Sequence, residues 1–206
     1  MKKKLLVAAS LLIAFMVWTL LLGIADVQSV GPRDSEVGFA TVNTWFHNLT
    51  GVHMTLYHIT DWLGLVPVAF GFSFAILGLV QWIKRKKIWK VDYKLLALGV
   101  FYLVVLGAYL MFEKYVVNYR PVLINNYLEA SYPSSTTLLV MTVMPTAAIY
   151  LRSRYKTVSV SIYVFTALMV LGRLLSGVHW LTDIIGAALL SGGLVLLYKA
   201  ACSGRK

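Results

Sequence analysis

Six apolar stretches, each about long enough to cross a hydrocarbon core of ~30 Å as a helix, set the limits on what this chain can become. They run roughly over residues 5–25, 62–83, 95–113, 135–151, 158–176 and 180–200, the last two joined by a short turn around Ser176 and Gly177. No segment alternates apolar and polar residues at period 2 over ten positions, which argues against membrane strands. Composition agrees, since 59% of the 206 residues are hydrophobic and 13% charged, against about half and a quarter in soluble domains. The expectation is an all-α fold, a six-transmembrane-helix bundle forming one domain over residues 1–206, with no low-complexity tract and no internal repeat.

The net charge of +11 has a membrane explanation. With the N-terminus in the cytoplasm, the inner segments hold Lys2–Lys4, the run from Lys84 to Lys94, Arg152, Arg154, Lys156, Lys199, Arg205 and Lys206, which is 15 of the 19 basic residues. Of the eight acids only Asp92 falls on that side. This asymmetry predicts cytoplasmic N- and C-termini in a multi-pass cell-membrane protein. It also removes the need for a nucleic-acid partner. The first span opens on "KKKLLVAASLLIAFMVWTLLLGIA", with the basic start of a signal peptide. Its apolar run of about 20 residues exceeds the 7–15 of a signal sequence, so a retained anchor helix is expected. The single cysteine, Cys202, excludes an intramolecular disulfide and a cysteine metal cluster.

Two outer segments are long. Residues 26–61 pass from a polar turn, "VQSVGPRDSEVGF", into "NTWFHNLTGVHMTLYHITDW", whose aromatics and histidines suit an amphipathic helix in the interface. Residues 114–134 form the other. Of the four outer cations, Lys114, Arg120 and Arg173 sit where a span meets the outer surface. Arg173 lies inside the apolar "LMVLGRLLSGVHW", where a cation costs a few kcal/mol or more unless it pairs, faces water or snorkels. His179 follows six residues later and Asp183 four after that. On a helix i and i+4 share a face, so Asp183 can accept a hydrogen bond from a ring nitrogen and fix the tautomer. A nucleophilic or basic histidine needs such a partner, and a purely structural His–Asp pair is the alternative.

The stretch "SYPSSTTLLV" places Pro133 and four hydroxyls, Ser134, Ser135, Thr136 and Thr137, at the mouth of the fourth span. A helix N-terminus offers free N–H groups and a dipole favourable to anions, and guanidinium forks pair two-pronged with phosphate. Arg120, Arg173, Lys114, Ser134, Ser135 and His179 therefore converge on an anionic tetrahedral group at one membrane face. No metal or other cofactor is expected. The outer acids do not cluster, His179 has no second histidine at a ligand spacing, and His53 and His58 are five apart rather than four. A transporter is the competing class, but the inner half of the spans lacks the ionisable residues that would line a path.

These residues resemble the type-2 phosphatidic acid phosphatase superfamily of integral membrane lipid phosphatases, whose signatures are K-x6-R-P, P-S-G-H and S-R-x5-H-x3-D. The third stands here as "GRLLSGVHWLTD", with Gly172 for the serine and Arg173, His179 and Asp183 at full spacing. In "KYVVNYRP", Lys114 is one residue too close to Arg120 and Glu113 holds the lysine position; in "PSST", Ser135 replaces the glycine and Thr136 the histidine. The resemblance implies that His179 attacks phosphorus to form phosphohistidine, that Asp183 orients it, and that Arg120 and Arg173, helped by Ser134, bind the phosphoryl oxygens. The histidine missing at Thr136 would protonate the leaving group. Three outcomes stay open. The substrate can leave without a proton, which favours a polyprenyl diphosphate over phosphatidic acid or phosphatidylglycerol phosphate. Another acid can serve, with His58, His53 and Glu113 as candidates. Or the chain binds lipid phosphates without hydrolysing them.

Overall fold

The computed structural model describes residues 2–203. Arg205 and Lys206, two of the cations counted toward the cytoplasmic side, lie outside the described residues. The chain forms α1 (Lys2–Leu22), α2 (Ala40–Thr50), α3 (Met54–Leu63), α4 (Leu65–Arg85), α5 (Tyr93–Lys114), α6 (Ser135–Leu151), α7 (Lys156–Leu175) and α8 (Leu181–Ser203), with short 3-10 turns at Pro32–Asp34 and Ile88–Lys90. Beyond the helices, the described residues contain only isolated antiparallel bridges.

Five segments are long and apolar enough to cross a membrane: α1, the run Met54–Arg85, α5, α7 and α8. The sixth apolar stretch forms α6, which is shorter at 17 residues. The second span differs most from expectation. An apolar window begins near residue 62, but the helical run starts at Met54, because α3 passes into α4 across Gly64 in right-handed helical geometry (φ −59, ψ −19). Pro67 falls in the first turn of α4, just after this junction. The aromatic stretch expected as one interfacial helix is two, α2 and α3, broken at Gly51, whose φ of +70 ends α2. Asp92 caps α5 by accepting from Lys94 N–H at 3.0 Å.

α8 is the most enclosed of the five long apolar segments. Its small residues explain why. Gly186 admits the Tyr132 ring, whose atoms would overlap an added Cβ, and Gly193 admits Leu12 of α1, 2.7 Å from where a Cβ would stand. Apolar helices gain no hydrophobic drive toward one another in lipid, so close backbone approach at small residues is what holds them. Phe15 stacks on Tyr132 at 6.2 Å, and the Tyr132 hydroxyl meets Thr19 at 2.7 Å. At the far end Lys4 Nζ donates to Ser203 Oγ at 3.1 Å, so α1 starts and α8 ends at the same end of the bundle. The opposite end gathers the starts of α6 and α8, the ends of α5 and α7, and the α2–α3 segment.

Gly193→Leu would wedge α1 away from α8. It should lower stability by about 1–3 kcal/mol in denaturant or thermal unfolding of the detergent-solubilised protein. Gly71→Leu, where an added Cβ meets nothing within 4 Å, should be neutral or slightly stabilising on helix propensity.

Candidate functional site

The 115–134 segment is folded back on itself by an antiparallel bridge between Tyr119 and Ala130, with Arg120 N–H donating to the Glu129 carbonyl at 3.1 Å and Ser131 N–H to that of Asn118 at 2.9 Å. This pairing sets Arg120 and Ser131 at the same end of the bundle as the α7–α8 turn. Trp180 Nε1 donates to the Tyr119 carbonyl at 2.8 Å and ties the segment to the start of α8. Asn43 of α2 secures that start from the other side: its amide accepts from Thr182 N–H at 3.2 Å and donates to the Thr182 hydroxyl at 2.9 Å.

Arg173 is 1% exposed although it lies in an apolar helix. α3 covers it. Tyr57, Thr60 and Asp61 fall on one face of that helix, and the Tyr57 ring centroid lies 4.9 Å from the guanidinium carbon. The Thr60 hydroxyl is 3.4 Å from Nη1, and an Asp61 carboxylate oxygen is 3.9 Å away. Arg120 faces the same ring at 6.0 Å. Its Nε lies 3.1 Å from Glu129 Oε2, a charge contact that is not aimed as a hydrogen bond. Among the described residues, Arg120 Nε and Nη1 and Arg173 Nε are buried without a hydrogen-bond partner. Buried unpaired donors of this kind are costly and rare in folded proteins. Two guanidinium groups are thus held close together with donors to spare.

His179 stands between Arg173 and Asp183. Its Nε2 is 3.3 Å from Arg173 Nη2, and its Nδ1 is 3.0 Å from the Ser131 hydroxyl. The direct His179–Asp183 hydrogen bond expected from i, i+4 spacing is not formed: Nδ1 and Oδ2 are 3.9 Å apart. The reason is local. His179 lies in the turn before α8, so the two residues do not share a helical face. Asp183 instead folds back to accept from Trp180 N–H at 2.9 Å, capping the helix it opens, and also accepts from the Ser131 hydroxyl and, at 3.4 Å, from Asn118 Nδ2. Burial, then the charges of Arg120 and Arg173, hold the His179 imidazole well below the ordinary histidine value, with Ser131 working the other way.

The other residues named from sequence divide. Ser134 N-caps α6 and is fully buried, with its hydroxyl donating to Thr137 at 3.0 Å and its N–H to the Asp183 carbonyl at 3.3 Å. Leu138 is the first α6 residue whose N–H finds an acceptor inside the helix, Ser134 O, which leaves first-turn donors ahead of it. Ser135 lines a polar hollow of about 270 Å³ together with Arg120, Ser131, Glu113 and Glu129. Lys114 is not brought in. It ends α5 exposed, its ammonium over the Tyr115 ring, because the helix points Glu113 at the hollow. His58 is exposed on α3, its ring tilted against Tyr57, and His53 Nε2 stays local at 2.9 Å from the Thr50 carbonyl oxygen. Thr136 lines a second, apolar groove of about 880 Å³ between α4, α5 and α6, which shares Tyr109, Ser135 and Leu138 with the polar hollow.

Sequence reasoning missed Ser131, Asn118, Tyr57, Thr60 and Asp61. Ser131 and Asn118 carried one faint signal, each lying two residues before a named motif residue. The α3 residues carried none, because only the packing of α3 on α7 reveals them. That packing accounts for Gly172. A Cβ there would stand 2.6 Å from Thr60 Cγ2, so the threonine fills the space of the missing serine and brings a hydroxyl to Arg173.

The PAP2 superfamily model matches residues 113–205. A solved structure, that of a transmembrane PAP2-type phosphatidylglycerolphosphate phosphatase from Bacillus subtilis, superposes with a TM-score of 0.58 at 20% identity over 97% of each chain. At that identity the likeness is one of fold. No curated protein matches the chain. With these apolar helices and this likeness, the chain is a multi-pass membrane protein.

Two tests follow from the geometry. The His179 ring should titrate below pH 6.5 by NMR. The folded state then resists a proton that the unfolded chain takes near 6.5. Its contribution to stability is complete above that pH and falls as pH drops toward the folded value. Gly172→Ser should cost about 1–3 kcal/mol by overpacking against Thr60, and adding Thr60→Ala should recover most of that loss in the same unfolding measurement.

Proposed function

For a chain whose residues 113–205 match the PAP2 superfamily model, we propose hydrolysis of a membrane lipid phosphate or diphosphate through a phosphohistidine. The observation that carries this reading is the pair of buried guanidinium groups with unpartnered donors, both facing the Tyr57 ring, of which Arg173 meets His179 Nε2. A phosphoryl group there would receive N–H donors from Arg120 and Arg173 on the oxygens where charge builds in the transition state, with the first turn of α6 nearby. The neutral imidazole attacks phosphorus from Nε2. The N–P bond forms as the bond to the leaving oxygen breaks, and water then cleaves the phosphohistidine.

The six apolar helices serve as spans, α6 at 17 residues being at the short end of the workable range. The basic residues at the Lys4–Ser203 end favour that end as cytoplasmic, which puts the site on the extracytoplasmic side. The apolar groove beside the polar hollow suits the lipid portion, with Thr136 on its wall where the leaving group would lie. A threonine hydroxyl is far too weak an acid to protonate an alkoxide near pH 7, whereas a phosphate leaving from a diphosphate needs little help. Polyprenyl diphosphate is therefore favoured slightly over phosphatidic acid or phosphatidylglycerol phosphate. His58 is exposed with its ring against Tyr57, and it stays the candidate substitute acid.

Purified protein in detergent with EDTA should release phosphate from polyprenyl diphosphate faster than from phosphatidic acid or phosphatidylglycerol phosphate. His179→Ala should lower that rate by roughly 10³-fold or more. Equal release from the monoesters would overturn the diphosphate preference. Retained lipid-phosphate binding with no release at all would identify the alternative, a lipid-phosphate-binding membrane protein.

A further inference from the structure

The residue that joins His179 to Asp183 is Ser131. We infer that the Ser131 hydroxyl is a positioning group that relays hydrogen bonding between the two, accepting from His179 Nδ1–H and donating to Asp183. The inference rests on the phosphohistidine reading for its role in turnover, but its geometry stands apart from any substrate.

The direction of each bond follows from its neighbours. Arg173 is a donor only, so the His179 Nε2 it faces at 3.3 Å carries the lone pair. The ring proton of a neutral imidazole is then on Nδ1 and points at Ser131 Oγ, 3.0 Å away. Ser131 directs its own proton to Asp183 Oδ2. Asp183 is acceptor at every contact: from Ser131, from Trp180 N–H at 2.9 Å and from Asn118 Nδ2 at 3.4 Å. All three members of the relay are buried. Ser131 is itself held: its N–H donates to the Asn118 carbonyl, and Asn118 Oδ1 accepts from Gly38 N–H at 3.4 Å.

With His179 and Asp183 3.9 Å apart, the carboxylate cannot hold the ring directly. The serine closes the gap, accepts the Nδ1 proton of the tautomer that Arg173 imposes at Nε2, and transmits the carboxylate's negative charge. When Nε2 takes the phosphoryl group, the ring keeps its Nδ1 proton and becomes a cation. No proton needs to move along the relay; both of its hydrogen bonds strengthen as charge builds on the ring.

The tautomer can be read without substrate. Nitrogen-15 NMR of His179 in the purified wild-type protein should show the Nδ1–H form with its proton hydrogen-bonded, and Ser131→Ala should shift the Nδ1 and Nδ1–H resonances while Arg173 keeps the lone pair on Nε2. The Nε2–H form in the wild type, or an unchanged spectrum in the variant, would overturn the relay. In turnover, Ser131→Ala should lower kcat by about 10–100-fold, the loss expected on deleting a hydrogen bond to a charged group, with KM little changed. Ser131→Thr, which keeps the hydroxyl, should retain most of kcat. Because the two residues act as one unit, Ser131→Ala combined with Asp183→Asn should be no slower than Asp183→Asn alone, whereas multiplying losses would mean independent roles and refute the relay. Absence of hydrolysis from every lipid would refute the phosphatase reading, and the NMR spectra would then decide the role of Ser131 by themselves.

Discussion

A guanidinium buried among apolar helices is the constraint to which the rest of this structure answers. Arg173 cannot be neutralised near physiological pH, and in hydrocarbon its charge is costly. The surroundings meet that cost only in part. Tyr57 offers a ring face, Thr60 a hydroxyl, His179 a lone pair, and Asp61 a carboxylate at 3.9 Å that is itself largely exposed. Each contact is weak or long, and Nε has no partner among the described residues. A stable fold built only for packing would have placed an apolar residue here, since replacing buried ionic groups by well-packed hydrophobes is often neutral or stabilising.

The same incompleteness runs through the neighbouring groups. Arg120 has a carboxylate beside it that does not align with its donors, and α6 begins with N–H groups ahead of the first intrahelical acceptor. By contrast Asp183 is fully engaged, with a backbone N–H, a hydroxyl and an amide all donating to it. Positive groups are left wanting an anion while the buried carboxylate of the site is satisfied. That imbalance is what a phosphate site requires, and it is the physical basis of the proposed chemistry.

The departures from the family pattern sort themselves when placed in the fold. Gly172 is compensated by Thr60 from another helix, so the hydroxyl near Arg173 survives the loss of a serine. Glu113 and Glu129 both line the polar hollow, which therefore carries more negative charge beside Arg120 than the motif's lysine would bring. Thr136 is left facing an apolar groove with no acid gathered around it. Thr136 is the departure that bears on leaving-group chemistry.

The amino-acid sequence alone determined the apolar helices, because a run of about 20 apolar residues has few other fates once backbone hydrogen bonds must be satisfied within the membrane. It likewise singled out Arg173, since a cation in such a run must be accommodated by something. Spacing misled only where it assumed a helix: four residues from His179 to Asp183 suggested direct contact, but the helix starts at Leu181 and the pair is bridged. Tertiary structure decided which of the outer residues meet. Lys114 and Arg120 lie six residues apart, yet one ends exposed over Tyr115 and the other is buried beside Tyr57, because Lys114 ends α5 while Arg120 belongs to the segment folded back by the bridge between Tyr119 and Ala130. Ser131 and the α3 face of Tyr57, Thr60 and Asp61 were illegible for the same reason. They lie 48 residues and more than 110 residues along the chain from the partners they touch, and no local pattern records a contact made only by helices packing side by side.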